Sequence, residues 1–258
     1  LGACRKIQGR LNDLNLIATS HACRDSQGTM TPEANAIVVA MARYVRVVSI
    51  LFYSSVSRRY SILLTDAGLM GLQRRGILTD EERQLLEVLP PKTRYTAVFT
   101  WIVSTFTRGC EASTLCFRMP SNCHFLFIGK MAEVRGACGT ITDLLDARCP
   151  LSYVHFIQLL VDVFLLMTPF AAVADMGWFS VGASFLLSMF FSGLLSLSKM
   201  LYDPLDNDDF GAEADNIQVD TLIQESSSGS LRFLTTGHQL PFGARAQTAT
   251  TADAPNQY

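Results

Sequence analysis

The stretch that decides the fold is residues 151–201, LSYVHFIQLLVDVFLLMTPFAAVADMGWFSVGASFLLSMFFSGLLSLSKML. It contains two apolar runs of 24 residues each, 151–174 and 178–201, separated only by the three residues DMG. Because a bilayer core of about 30 Å needs about 20 apolar residues of helix to cross it, each run is long enough to span a membrane. The short separator is typical of a tight turn. We therefore predict a two-helix transmembrane hairpin in an integral membrane protein.

The charges indicate how this hairpin is oriented. Eighteen of the 21 Lys and Arg residues lie before position 150, so the net charge of −2 combines a basic first part with an acidic second part. Arg148 and Lys199 flank the open end of the hairpin, while its tip carries no Lys or Arg. By the positive-inside rule, both flanks face the cytosol or its equivalent. The plasma membrane and an organelle membrane such as the thylakoid both agree with this orientation.

The first membrane helix carries ionisable residues on one side. His155, Leu159, Asp162 and Leu166 are spaced at i, i+4, i+7 and i+11, so they share one face of a helix. Ionisable groups in a membrane helix are costly and usually face a wet cavity or another helix. Two interpretations follow: a pore-facing stripe of His155, Leu159 and Asp162, or an Asp162 that pairs with a neighbouring helix. Pro169 is expected to kink or end the regular helix.

The second membrane helix carries a serine every four residues, at Ser180, Ser184, Ser188, Ser192 and Ser196. This spacing predicts one narrow stripe of small residues. Small residues let helix backbones approach closely, so the last four serines are candidates for helix packing. The alternative is the hydrophilic wall of a water-filled path, and the two interpretations are compatible.

An acidic segment, residues 202–225, follows the hairpin and contains DPLDNDDF at 203–210. Clustered carboxylates suit a hard cation such as Ca²⁺, although a solvated acidic linker has the same composition. Residues 226–258 are rich in Ser, Thr, Ala and Gln and have few apolar side chains. Such a composition cannot bury a core, so this tail is predicted to be disordered.

Residues 1–150 are predicted to form a cytosolic helical region. Residues 36–57 are apolar enough to suggest another span, but Arg43 and Arg46 would be expensive in lipid, so a packed helix in an aqueous layer is favoured. The sequence TDEE at 79–82 is a capping-box signature that begins a helix. Further helices are predicted over residues 79–89, 95–108 and 122–147.

Several classes of protein are excluded by what the sequence lacks. It has no glycine-rich phosphate loop, metal triad or nucleophile elbow, so an enzyme or an organic cofactor is not expected. It has no basic face joined to a nucleic-acid-binding module, so no nucleic-acid partner is expected. The seven cysteines form no CxxC pair, and the spacing of Cys116, Cys123 and His124 favours thiols over a metal site.

Five segments, taken in order, resemble the bestrophin family of pentameric anion channels. They are MARYVRVVSILFYSSVSRRY at 41–60, GLMGLQRRGILTDEERQLLEVL at 68–89, AVFTWIV at 97–103, KMAEVRGACGTITDLLDARCPLSYVHFIQ at 130–158 and YDPLDNDDF at 202–210. The resemblance extends over about residues 1–225. The ordered run of segments is more specific than any one of them.

The resemblance implies an all-α membrane protein, a bestrophin-like helical protomer that assembles as a homo-pentamer in membrane lipid around one pore. It implies a subunit of a channel for chloride and other small anions, with bicarbonate as a further candidate and calcium as a candidate regulator. The alternative is a non-conducting membrane scaffold or accessory subunit. The chain begins at Leu1 rather than Met, and the resemblance implies that the family's first two membrane helices, with the neck of the pore, lie upstream.

The resemblance also implies a calcium site in the acidic segment. Asp206 and Asp209 match the family's side-chain calcium ligands, with Asn207 and Asp208 between them. The acidic run is two residues shorter than in the animal members of the family. A shortened calcium clasp is therefore the expectation for these four residues.

Two positions of the first membrane helix are placed by the same resemblance. Leu159 matches the apolar position that forms the family's cytosolic constriction, where a ring of leucines could gate the pore by dewetting. Asp162 departs from the family, which usually has an uncharged aromatic residue there. A carboxylate facing the pore would repel anions, so Asp162 either faces a neighbouring helix or changes the selectivity.

Overall fold

The computed structural model describes residues 1–111, 116–118, 121–147, 151–202, 205 and 217–240. Within these residues the chain forms nine α-helices and two short 3₁₀ helices, and its β-structure is limited to isolated bridges. The α-helices are α1 (Gly2–His21), α2 (Pro32–Val56), α3 (Asp66–Arg74), α4 (Asp80–Glu87), α5 (Arg94–Cys110), α6 (Ser121–Asp146), α7 (Leu151–Met176), α8 (Phe179–Tyr202) and α9 (Val219–His238). The 3₁₀ helices are Ser61–Leu64 and Pro91–Thr93. The predicted all-α class is confirmed.

The chain divides into two compact units. The first, which we call the helical unit, comprises Leu1–Thr142 and Ile217–Tyr258. The second, the hairpin unit, comprises Asp143–Asn216 and contains α7 and α8.

Helix α2 is the central helix of the helical unit, because α1, α5 and α9 all pack against it. Thr31 caps its N-terminus by accepting a hydrogen bond from the backbone N–H of Ala34 at 3.3 Å, and Pro32 follows in the first turn. The predicted helix over residues 36–57 is therefore confirmed, and its apolar side is covered by protein. Its largest fully buried side chains are Met41, Leu51, Phe52 and Tyr53.

Helix α9 corrects the prediction that residues 226–258 are disordered. It runs from Val219 to His238 and packs against α1 and α2. A Cβ atom added to Gly229 would lie 2.3 Å from Oδ1 of Asn12, so glycine is what permits this close approach to α1. Residues 241–258 lie outside the described part of the chain.

Hydrogen bonds between α1 and α9 explain why composition alone misled the prediction. The amide of Asn15 donates to Oγ of Ser230 at 3.1 Å, and both residues are buried. The amide of Gln8 donates to the backbone carbonyl of Leu222 at 2.5 Å. Small polar residues bury little apolar area, but here they let the polar side chains of α1 reach the neighbouring helix and bond to it.

The hairpin unit consists mainly of α7 and α8, joined at Gly177 and Trp178. Gly177 adopts a φ of 55°, a left-handed conformation that glycine reaches without the Cβ penalty of other residues. Of the two outcomes expected at Pro169, an end of the regular helix is wrong, because α7 continues through it to Met176, and a kink stays a prediction. A proline removes only one backbone donor, and membrane helices tolerate that loss.

Candidate functional site

Most of the large apolar side chains in the described part of the hairpin unit are exposed. In the most apolar 18-residue stretch of α7, no residue is buried inside the protein. In the corresponding stretch of α8, only 6% is buried. Trp178 and Phe179 at the turn are 92% and 85% exposed, and tryptophan is enriched where a membrane meets water. Both helices are long and apolar enough to cross a membrane. The exposure of these side chains is what an integral membrane protein requires.

One side of α7 packs against α8. The rings of Phe164 and Phe191 meet edge to face with centroids 5.8 Å apart. The partly buried residues of α7 recur every three or four positions, as expected for one helix face in contact with a partner. They are Val154, Gln158, Val161, Leu165, Thr168 and Ala172, with Pro169 next to Thr168.

The ionisable stripe predicted on α7 lies on a different side of the helix. His155, Leu159, Asp162 and Leu166 are all exposed in the single chain. Each residue turns the helix by about 100°, so this stripe lies about 100° around α7 from the row that contacts α8. Asp162 therefore does not point at α8, which is the other helix of the hairpin.

Gln158 is a polar residue of α7 that the sequence prediction missed. It is partly buried, three residues after His155 and four before Asp162, so it lies at the edge of the α8-facing row that is nearest the ionisable stripe. The sequence did contain a signal for Gln158, because it lies three residues after His155 and four residues before Asp162. With Gln158 included, three hydrogen-bonding side chains follow one another along this part of α7.

The serine row of α8 does not stay on one face. Ser180 is buried, Ser184 and Ser188 are partly buried, and Ser192 and Ser196 are exposed. A step of four residues exceeds a helical turn by about 40°, so four such steps rotate the row by about 160°. The predicted single narrow stripe is corrected accordingly, and a packing role for each serine stays a prediction.

Arg43 of α2 has a partner that the sequence prediction did not identify. Arg43 binds Glu82 of α4 with two guanidinium contacts of 2.5 and 2.7 Å and donates a third bond to the carbonyl of Ile77 at 3.1 Å. The hydroxyl of Tyr44 donates to the same carboxylate at 2.9 Å. Glu82 also closes the predicted capping box with Thr79. One carboxylate thus begins α4 and attaches it to α2.

The electrostatics of Glu82 follow from these contacts. Burial by itself would raise the pKa of the carboxyl, but the guanidinium of Arg43, the backbone N–H of Thr79 and the hydroxyl of Tyr44 together outweigh it. The net result lowers the pKa of Glu82 to about 2. The carboxylate is therefore ionised throughout the physiological pH range.

Arg94 is a second buried cation of the helical unit. Its side chain is 4% exposed, and its Nε donates to the carbonyl of Leu89 at 3.1 Å. Its two terminal nitrogens donate to the carbonyls of Leu64 and Glu87. These carbonyls lie at or just beyond the ends of a 3₁₀ helix and of α4, where backbone acceptors lack helical partners. Arg94 thus holds the start of α5 against two other helix ends.

The candidate calcium residues Asp206, Asn207, Asp208 and Asp209 lie outside the described residues. Within the described part of the chain, no group of three or more His, Cys, Asp or Glu side chains is arranged to hold a metal ion. The calcium clasp therefore stays a prediction.

A family model described as "Bestrophin, RFP-TM, chloride channel" matches residues 16–234. No curated protein sequence matches the chain. The matched range includes the helical unit from the end of α1 to most of α9, and the whole membrane hairpin.

Solved structures share the fold at low sequence identity. A crystal structure of a variant of a bacterial bestrophin homologue from Klebsiella pneumoniae aligns with a TM-score of 0.69 and 16% identity, over 90% of this chain and 78% of that one. A structure described as a membrane protein aligns with a TM-score of 0.63 and 19% identity, over 90% of this chain and 77% of that one. With most of its length matched by the family model, the chain belongs to the bestrophin family of chloride channels.

Proposed function

We propose that this chain is a subunit of an anion channel and that the α7 side carrying His155, Leu159 and Asp162 lines the path. The observation that carries the proposal is the position of the two ionisable residues. They lie on one exposed side of a membrane helix, away from the row that packs on α8.

Contact with lipid is unfavourable for the side of α7 that carries His155 and Asp162. An ionisable side chain at membrane depth is costly unless it meets water or a partner group. The side of α7 opposite α8 instead carries only apolar groups, at Phe156, Leu160, Val163 and Met167, and is suited to lipid. The two sides differ in chemistry, and an aqueous path beside one and lipid beside the other accounts for the difference.

Several copies are needed to enclose such a path. The α7–α8 pair buries one side of each helix against the other, and two helices cannot surround a channel. Copies arranged about a symmetry axis would bring their α7 stripes together, as in closed cyclic oligomers. A homo-pentamer is the state that the family resemblance supports.

The proposal gives separate roles to the residues of the stripe. Leu159, which is 61% exposed in the single chain, would form an apolar ring that gates by dewetting. Asp162 follows it on the next turn of the same stripe and would place a negative charge near that ring. Since such a charge lowers the local concentration of anions, Asp162→Asn is expected to raise chloride conductance.

Calcium regulation and bicarbonate permeation are further parts of the proposal. Asp206 and Asp209 supply the hard oxygen ligands that Ca²⁺ prefers, and the family resemblance supports a clasp there. Currents that open with micromolar calcium in the native protein but not in Asp206→Ala support the clasp. Unchanged calcium dependence in Asp206→Ala and in Asp209→Ala contradicts it.

The direct test is to reconstitute the protein in liposomes, together with the upstream membrane helices that the family resemblance implies, and to record currents across a chloride gradient. The expected result is a reversal potential that follows the chloride gradient, with a smaller shift when bicarbonate replaces chloride. Leu159→Ala should change rectification or selectivity, while Leu160→Ala on the lipid-facing side should not. An absence of anion current with and without calcium would contradict the proposal and favour a non-conducting scaffold or accessory subunit.

A further inference from the structure

The ends of α1 and α5 meet in a short antiparallel pairing within the helical unit. Ala22, just after α1, forms an isolated bridge with Phe117, which follows α5. On one side of this bridge the backbone N–H of Cys23 donates to the carbonyl of Cys116 at 2.8 Å. On the other side the N–H of Arg118 donates to the carbonyl of His21 at 2.9 Å. This pattern places Cys23 and Cys116 directly opposite each other.

Opposite residues of an antiparallel pair point to the same face. Their Cβ atoms are about 4.5–5.5 Å apart, and a disulfide needs a Cβ separation of about 3.5–4.5 Å with Cα atoms no more than about 6.8 Å apart. A small side-chain and backbone adjustment therefore suffices to bond the two sulfur atoms. Both residues are thiols in the structure.

We propose that Cys23 and Cys116 form a reversible disulfide that ties the end of α1 to the segment following α5. The oxidant is a small disulfide such as oxidised glutathione. The Cys23 thiolate attacks one of its sulfur atoms, a mixed disulfide forms and one glutathione thiolate leaves. The Cys116 thiolate then attacks the Cys23 sulfur and releases the second glutathione. Two protein thiols and one oxidised glutathione thus become one protein disulfide and two glutathione thiols, which take up the two protons.

The order of these two steps follows from burial. Cys23 is partly exposed, whereas Cys116 is 2% exposed. Burial, with smaller contributions from Cys23 and Glu33, raises the pKa of the Cys116 thiol, so less of it is present as the reactive thiolate. Cys116 nevertheless lines a groove beside α2 and α5, together with Ala36, Ile37 and Ala40. Cys23 is therefore the attacking thiol and Cys116 the resolving one.

The bond would stabilise more than the two residues it joins. The carbonyl of Cys23 also accepts from the N–H of Thr31 at 3.0 Å, and the N–H of Met30 donates to the carbonyl of His238 at 3.1 Å. The loop between α1 and α2 thus connects the end of α9 to the same junction. A disulfide here encloses α2 to α5 in one covalent loop, and closing a long loop restricts the unfolded chain strongly.

The test uses the full chain in membranes, equilibrated with oxidised or reduced glutathione, alkylated and digested with trypsin. The digest gives peptide 11–24, which contains only Cys23, and peptide 109–118, which contains Cys110 and Cys116. In Cys110→Ser the second peptide retains only Cys116, so a linked pair identifies the bond. The expected product in Cys110→Ser is that linked pair, about 2 Da lighter than its two thiol peptides combined, and the native protein gives the same pair with an alkyl group on Cys110.

Cys23→Ser and Cys116→Ser should each lose the linked pair and also lose the increase in thermal unfolding midpoint that oxidation gives the native protein. Cys110→Ser should keep both. The proposal is overturned if Cys110→Ser abolishes the link, or if Cys23 remains fully alkylated after equilibration with oxidised glutathione.

Discussion

Helices α2 and α7 are nearly equal in apolar character but have opposite surroundings. Their most apolar windows have mean hydropathies of 1.8 and 2.0, yet 61% of the α2 window and none of the α7 window is buried inside the protein. High hydropathy indicates that the surface of a helix is kept from water. It does not indicate whether protein or lipid covers that surface. In α2 the cover is α1, α5 and α9. Helix α7 is covered by one helix, α8, and by the membrane on its remaining apolar surface.

The charged residues of α2 and α7 distinguish the helix covered by protein from the helix that faces the membrane. Arg43 of α2 meets Glu82 of the same unit in a bidentate ion pair. His155 and Asp162 of α7 lie on an exposed side, where a partner or water must come from outside the single chain. A charge satisfied inside the unit indicates a protein-covered helix, and exposed charges on an apolar helix indicate a path or an interface.

The largest expected difference comes from matched leucines. Leu51 of α2 is fully buried, so Leu51→Ala should lower the free energy of unfolding by about 3 kcal/mol. In a domain of this size that corresponds to a decrease in Tm of about 6–12 °C. Leu160 of α7 is 57% exposed, so Leu160→Ala should change the stability by less than about 0.5 kcal/mol. Thermal unfolding of the purified protein in detergent measures both, and similar shifts would refute the comparison.

The ion pair of α2 gives the next largest effect. Glu82→Gln leaves Arg43, whose side chain is only 18% exposed, without its carboxylate and should lower the free energy of unfolding by about 2 kcal/mol. The matched control is Glu225→Gln, because Glu225 forms an ion pair with Arg5 at 2.9 Å in which both side chains are more than one third exposed. That control should cost less than about 1 kcal/mol. Equal losses would mean that the buried network does not hold α4 on α2.

The lowered pKa of Glu82 determines how its contribution to stability changes with pH. The folded-state pKa is about 2, below the ordinary glutamate value of 4.5, so the carboxylate stabilises the fold fully above about pH 4.5. That stabilisation is lost as the pH falls from 4.5 towards 2. The Tm difference between the native protein and Glu82→Gln should therefore be largest near neutral pH and decrease below about pH 4.5. A difference that grows on acidification would contradict the assignment.

Two glycines provide the smallest effect. A Cβ atom on Gly229 of α9 would collide with Asn12, so Gly229→Ala should lower the free energy of unfolding by about 1 kcal/mol. Gly193 of α8 has nothing within 4 Å of the added atom, so Gly193→Ala should be neutral or stabilising. Thermal unfolding of the Gly229→Ala and Gly193→Ala variants measures both effects. A neutral Gly229→Ala would indicate that α9 does not pack closely on α1.

Local patterns predicted much of this structure, and contacts distant in sequence account for most of what they missed. The start of α4 was predictable because Thr79 and Glu82 are three residues apart and cap each other. The attachment of Glu82 to Arg43 was not, since it joins positions 39 residues apart. Helix α9 was missed for the same reason, because packing against α1 and α2, which are distant in sequence, stabilises its Ser- and Gly-rich segment.

The candidate site was predicted in part. The shared side of His155, Leu159 and Asp162 follows from helical periodicity, and all three are exposed in the structure. Gln158 was missed because an amide in an apolar run carries no charge to mark it. The drift of the serine row, ending with Ser196 exposed, follows from the difference between a spacing of four and a period of 3.6 residues per turn.

The central claim is that one side of α7 faces water and the adjacent side faces lipid. Leu159→Cys and Leu160→Cys, introduced separately, can be treated with a charged, membrane-impermeant thiol reagent while anion current is recorded, and the native protein, treated in the same way, is the control. We expect rapid modification and a changed current for Leu159→Cys, and for Leu160→Cys only the response that the native protein also gives. Modification of Leu160→Cys with Leu159→Cys unaffected would contradict the claim.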